Sequence, residues 1–398
     1  MNCHMFRPRS VLLASLFATT ALSSAFAFEA EEVAERLKAV LEKQEVELGY
    51  DSAALDGRDV ILEGVRLRSA AIEESLALDE LVLQSVSEQG DGSFRIGRVA
   101  IDELRHEEDG DSASMSDIAV SGLILPQDVE AGPFGNMLRY EQVRIGRMDL
   151  ANEEGPLVVI EDIHGELSFA PDESYVDATA AAESFSFNLG GTVESGSGAA
   201  TLEELGYGRL SGSLFIEARW QPTDGRMTVS RFDTIIDDAG TLSVLVDFAG
   251  YTPEFERVLQ ETARSMEQQG SGQDSSMQGM AMLGLMQQLT FHGATVRFTD
   301  DSATERVLNH VAEQQGSSPS DVISQAQAAI PPQLSPFLGT ELAGNIAEAV
   351  GTFLENPQNI EISARPENPV PFAMLMAAAM GSPEILVRQI GLAVRANQ

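Results

Sequence analysis

Beyond residue 27 the sequence contains four histidines, His106, His164, His292 and His310. Imidazole can ligate a metal or move a proton near neutral pH. None of the four stands in an H-E-x-x-H pattern or another spacing that places two ligands on one helix face. His106 precedes Glu107 and Glu108, and His164 follows Asp162 and Ile163. With 62 Asp and Glu in the chain, such neighbours are common, and these histidines read as surface or strand-face residues. No G-x-S-x-G elbow and no S-x-x-K motif offers an activated serine. Gly190-Gly191 and Gly196 match neither a P-loop nor a dinucleotide turn. Asp109 and Asp111 open something like a calcium loop, but Ser114 takes the place of its glycine and Val120 that of its bidentate glutamate. Paired carboxylates for glycoside hydrolysis are available. However, Trp220 is the sole tryptophan and there are five tyrosines, few aromatics with which to line a sugar cleft. No catalytic residue, metal ligand or cofactor is therefore assigned. The expectation is a non-enzymatic protein, with an acidic-residue hydrolase as the less favoured alternative.

Apolar side chains are the other candidate site. Met277, Met280, Met282 and Met286, with the apolar run Phe372 to Met380, could line a pliable groove for acyl chains, because methionine adapts to irregular apolar shapes. The candidate lining residues are Met282, Leu285, Met286, Leu289, Phe372 and Met376. The alternative is that these helices plug an open end or face of a sheet as ordinary core.

Composition narrows the partners. The chain has 398 residues, with 25 Lys and Arg against 62 acids, a formal charge of −37. That charge disfavours nucleic acid, which is held by clustered cations, and docking on anionic lipid. Residues 1–27 read as a secretory signal peptide: Arg7 and Arg9, an apolar Val11 to Ala21, and the small-x-small site Ala25-Phe26-Ala27. Cleavage after Ala27 removes two arginines and no acid, taking the charge from −37 to −39, and removes Cys3, the only cysteine. The mature chain is then expected in the periplasm with no transmembrane span, disulfide or thiolate chemistry.

The elements follow from hydrophobic period. Val33, Leu37, Val40 and Leu41 mark an N-terminal helix within 28–50. From Val60 to Phe169 a unit recurs of apolar, any, apolar, any, any, apolar, as in Leu81/Leu83/Val86, Ile118/Val120/Leu123 and Val158/Ile160/Ile163. The first two positions alternate as on a half-buried strand, and the third slips by one residue, as at a β-bulge or a strand end. Met227/Val229/Phe232 repeats it, and Leu242 to Phe248 alternates cleanly. After Tyr251 helical spacing dominates, with short strands near Ala294 to Phe298 and Ile360 to Ile362. The expected fold is α+β: a long curved, mainly antiparallel β-sheet over residues ~55–250, followed by a mainly helical C-terminal region, with a boundary between 51–250 and 251–398.

The helix ending near Leu48-Gly49-Tyr50, the run Gly57 to Leu67, the repeated strands, and Gly225 to Phe232 with Gly240 to Val244 resemble the AsmA-like and YdgA-like β-rich envelope proteins. The likeness covers roughly Glu29 to Gly250 and is one of rhythm. It implies a role in outer-membrane homeostasis, and for the larger members phospholipid transfer along an apolar groove. The chain departs from the AsmA pattern in lacking a retained anchor and in its acidity, and no functional residue carries over. The expected function is a periplasmic envelope protein that binds or scaffolds, holding a lipid or other apolar ligand in the sheet's concavity. The alternative is an interaction module that pairs with an envelope protein partner through its sheet edges.

Overall fold

The computed structural model describes residues 28–69, 72–129, 133–134, 137–189, 197–269, 283–381 and 383–398. The expected signal peptide and Met282 lie outside the described residues. Helix α1 (Ala30–Lys43) is followed by β1 (Val46–Gly49), β2 (Ser52–Asp56), β3 (Asp59–Ser69), β4 (Ile72–Gln84), β5 (Ser87–Glu88), β6 (Phe94–Glu108), β7 (Asp111–Leu125), β8 (Gln142–Asn152), β9 (Gly155–Phe169) and β10 (Val176–Asn188). Then come α2 (Ser197–Glu204), β11 (Arg209–Gln221), β12 (Arg226–Ile236), β13 (Gly240–Ala249), α3 (Pro253–Gln269) and β14 (Thr290–Asp300). The C-terminal elements are α4 (Ala303–Gln315), α5 (Pro319–Leu338), α6 (Thr340–Glu355), β15 (Asn359–Ala364), β16 (Val370–Pro371), α7 (Phe372–Gly381), α8 (Pro383–Gln389) and β17 (Leu392–Ala396).

All the strands belong to one antiparallel sheet laid down nearly in chain order. β1 and β2 share one side of β3, β6 follows β4, and each strand from β6 to β14 pairs with the next. β15 and β16 share the far side of β14, and β17 closes the series on β15. Tight turns make this possible. Glu108 pairs with Asp111 across Asp109 and Gly110, both at positive φ (49° and 92°), the two-residue turn whose twist matches a hairpin. The supposed calcium loop is this turn.

The recurrent unit becomes strands, with the slip inside β7 at Gly122 and inside β9 at Asp162, and in the break between β4 and β5 at Ser85. Ser85, Gly122 and Asp162 hold left-handed φ (55°, 67° and 50°) immediately before Val86, Leu123 and Ile163. Each adds one residue to the count without turning the next apolar side chain to the other face. Neighbouring strands slip at matching places, so apolar rows continue across the ladder. One runs Val60, Leu83, Val99, Val120, Val143, Gly165, Ala180, Ile216, Phe232. The other face carries cross-strand ion pairs such as Arg219–Asp177 (2.6 Å) and Arg226–Asp247 (2.8 Å).

Two parts of the expected fold are corrected. The sheet is neither curved nor closed: among the described residues the first strands pair only with β3 and the last only with β15, so the array is an open ladder. Closure needs a terminal pairing and a consistent stagger, and here each end meets a helix instead. The sheet also continues beyond residue 250, because β14 pairs along the length of β13 and brings β15 to β17 with it.

α1 closes the apolar face at one end. Its stripe Val33, Leu37 and Val40 is buried against Val60, Leu62, Val65, Leu81, Leu83, Phe94 and Ile96. Glu31 and Glu32 in its first turn and Lys43 in its last oppose the helix dipole favourably. At the other end α6 lies against β15 and β17, with Phe353 edge-on to Phe298 at 6.3 Å. Between them the sheet is less fully covered, with the start of α3 reaching the apolar face at β10 to β12. Val143, Ile145, Met148, Ile160, Leu214 and Ile216 are accordingly only half-buried, whereas Val60, Leu62 and Leu83 at the α1 end are wholly buried.

Candidate functional site

Beside the α1 end, the apolar face carries a cavity. Val176 and Ala178 on β10, Ala218 and Trp220 on β11, and Met227 on β12 point to one side because Val176 pairs with Trp220 and Trp220 with Met227. Phe134 and Met137, from the β7–β8 connection, close over them, and Tyr251 with Pro253 at the start of α3 forms the far wall. The cavity, half open to solvent, has a volume of about 340 Å³. Phe134 meets Trp220 edge-on at 5.7 Å and Phe169 at 5.1 Å, the arrangement that ring quadrupoles favour. The Trp220 indole Nε1 donates to the Tyr251 carbonyl at 2.8 Å, so the ring is anchored by its polar end and leaves its apolar body in the wall.

Two charged residues, Glu256 and Arg219, also border it. Glu256 on α3 is partly buried, and that desolvation pushes its carboxyl above the ordinary range. Burial likewise raises the Tyr251 phenol. Arg219 is exposed, paired with Asp177, and stacked at 4.1 Å on Tyr175. Gln44, just past α1, completes the lining.

Across Pro133, Phe134 and Met137 lies a second chamber of mixed polar and apolar lining, about 510 Å³, between the end of α1 and the β5–β6 turn. Asp91 accepts from the hydroxyl and amide of Ser93 there, and these hydrogen bonds hold its carboxyl below the usual range. Arg139 donates through Nη1 to Glu173 at 3.0 Å and stacks at 4.8 Å on Phe169, while its buried Nε has no acceptor among the described residues.

A family model described as "Uncharacterized protein" matches residues 233–397. No curated protein matches the chain. The matched segment begins in β12 and takes in β13 to β17 with the helices between them, so its boundary falls inside the sheet.

The apolar lining residues expected from the sequence are placed as follows. Leu285 and Leu289 are buried with Phe255 in a small core, and Met286 and Phe372 pack against it. Met376 is separate, 42% exposed on α7. None of these residues lines the Trp220 cavity. Their cluster supports it from behind, because Tyr251 belongs to the cavity wall and packs at 5.5 Å on Phe255. The lining residues that sequence reading missed are Phe134, Val176, Ala218, Trp220 and Met227. One signal pointed to them: the lone tryptophan closes an alternating strand, one short loop before the Met227/Val229/Phe232 unit. The histidines fall on four elements, β6, β9, β14 and α4. Among the described residues no group of three or more His, Asp and Glu gathers as a metal cluster.

Proposed function

We propose that this chain is a non-enzymatic, exported binding protein of the cell envelope that holds an acyl chain or comparable apolar ligand in the Trp220 cavity and along the adjoining sheet face. The observation that carries this reading is the cavity itself: predominantly apolar, with Arg219 and Glu256 as the charged residues along it, and continuous with half-buried apolar rows of the sheet. A cavity of this size accommodates about ten methylene groups, since a water-sized volume is ~30 Å³ and a methylene is slightly smaller. Burying each methylene contributes about 0.8 kcal/mol. The amino-terminal charged, apolar and small-x-small pattern supports the exported setting. The strong acidity supports a neutral or zwitterionic ligand over an anionic one.

Trp220 is the only tryptophan, so its fluorescence reports the cavity without labelling. Titration with lysophosphatidylcholine below its micellar concentration is expected to shift the emission to shorter wavelength and to saturate. Met227→Glu, which places a carboxylate in the wall, is expected to abolish the shift. Organic extraction of protein gently purified from its host is expected to release a lipid detectable by mass spectrometry. An unshifted Trp220 together with an empty extract would overturn the proposal.

A second reading rests on the open ladder. β17 offers one side without a described partner, and that edge suits a strand from an envelope protein. Stoichiometric co-purification of one protein, lost when proline replaces Val394, would favour it.

A further inference from the structure

The three most exposed large apolar side chains among the described residues are Phe337 at 58%, Ile385 at 53% and Met374 at 51%. They lie on three helices that meet at one end of the sheet. Phe337 is near the end of α5, Ile385 is on α8, which packs against α5, and Met374 is on α7. Met376, two residues after Met374, is 42% exposed. At 100° per residue these two methionines point to nearly opposite sides of α7. Ala377 and Ala379 are exposed as well, and the ten residues of α7 include no charge.

The root of α7 is tied to the cavity. Phe372 donates its amide to the Leu289 carbonyl at 3.0 Å and meets Phe291 edge-on at 6.1 Å. From Phe291 a single apolar row leads back across the sheet through Phe248, Met227, Trp220 and Val176. The exposed helices and the mouth of the Trp220 cavity therefore stand at the same end of the strands.

We infer that this helical tip docks the protein on the surface of a lipid bilayer of neutral or zwitterionic headgroups. Exposure on opposite sides of α7 selects that occupant. A rigid protein surface would cover one flank of the helix, whereas the headgroup–acyl boundary meets every flank that α8 leaves free. At 1.5 Å per residue α7 reaches about 15 Å, enough to enter one leaflet and too short to cross both. The chain's charge of −37 repels anionic headgroups, which restricts the lipid class. Docking by this end would bring the row Phe291 to Val176 to the hydrocarbon, so the inference rests on the proposed ligand cavity while naming a different surface.

The test is flotation of the chain without residues 1–27 with phosphatidylcholine vesicles, with and without phosphatidylglycerol. Co-flotation with phosphatidylcholine is expected, weakened by phosphatidylglycerol at low salt. Met374→Glu/Met376→Glu, at exposed positions that leave the core intact, is expected to reduce the bound fraction at least roughly tenfold. Its Trp220 response to lysophosphatidylcholine should be unchanged. No flotation of the natural chain overturns the inference. So does a dimer in solution that the double substitution disperses, which would assign the tip to a second copy. Flotation without any Trp220 response would instead retain the docking tip and remove the ligand cavity.

Discussion

Glu256 shows how one residue's setting carries a testable consequence. Its carboxyl is the acid bordering an apolar cavity, and desolvation alone raises its pKa. The folded protein therefore keeps a proton that the unfolded chain has released, and stability falls as pH rises from the ordinary carboxylate range toward the raised value. Above both values the full penalty persists. Glu256→Gln removes it. The variant is expected to unfold at a higher temperature than the natural chain near neutral pH, with the gap closing at about pH 3, where both side chains are uncharged. Thermal unfolding followed at both pH values checks this; a gap of equal size at the two would refute the burial account. Counting acids along the chain offers no reason to choose Glu256 among so many carboxylates. The distinction lies in the cavity that Glu256 shares with Tyr251 and Trp220, which the strand pairing and the start of α3 bring together.

At the scale of strands, the recurrent apolar unit was legible as extended chain because alternation in the first two positions has no helical counterpart. Its third position left bulge and strand end equally open, and both occur: β7 and β9 run through the slip at Gly122 and Asp162, whereas β4 ends just before it at Ser85. A glycine marks how tightly these strands fit. A Cβ at Gly212, on β11, would stand 1.8 Å from the Ile235 carbonyl oxygen and 2.9 Å from the Phe185 ring. The first obstacle is backbone, so rotamer change cannot relieve it. Gly212→Val is expected to lower stability by about 1–3 kcal/mol, read from the urea midpoint. Gly90→Ala, whose added methyl would meet nothing within 4 Å, is expected to leave the midpoint unchanged. The left-handed residues tell the same story in sequence terms: glycine at 122 was a visible cue, but Ser85 and Asp162 take the same region and read as ordinary polar strand residues.

Across the whole molecule the dominant long-range force is repulsion between carboxylates. The chain carries −37, and the described arginines are mostly engaged in exposed pairs such as Arg66–Asp51 and Arg95–Glu141, each worth little alone. Self-repulsion on a protein this acidic is screened over about 10 Å at 0.1 M salt. Raising sodium chloride from low to moderate concentration is therefore expected to raise the unfolding temperature, the gain flattening once the screening length falls below the spacing of surface acids. A falling unfolding temperature would mean that the surface pairs outweigh the net repulsion. Among the described residues no helix is long and apolar enough to cross a membrane, so the apolar material is held in the sheet face, its two helical ends and the exposed tip.

What the sequence determined by itself is what period and charge can encode locally: the strands of the first two-thirds, the amphipathic stripe of α1, the helical spacing after Tyr251 and the acidity. Tertiary structure decided the rest. A strand's pattern gives its two faces but not how many neighbours it acquires, so only pairing could show an open ladder that runs on to Ala396 rather than a curled sheet ending near 250. A helix's apolar side chains do not state what covers them, and so Leu285 and Leu289 went into core while Met374 and Met376 stayed bare. The cavity joins segments from residue 44 to residue 256, a separation over which one-dimensional periodicity carries no information.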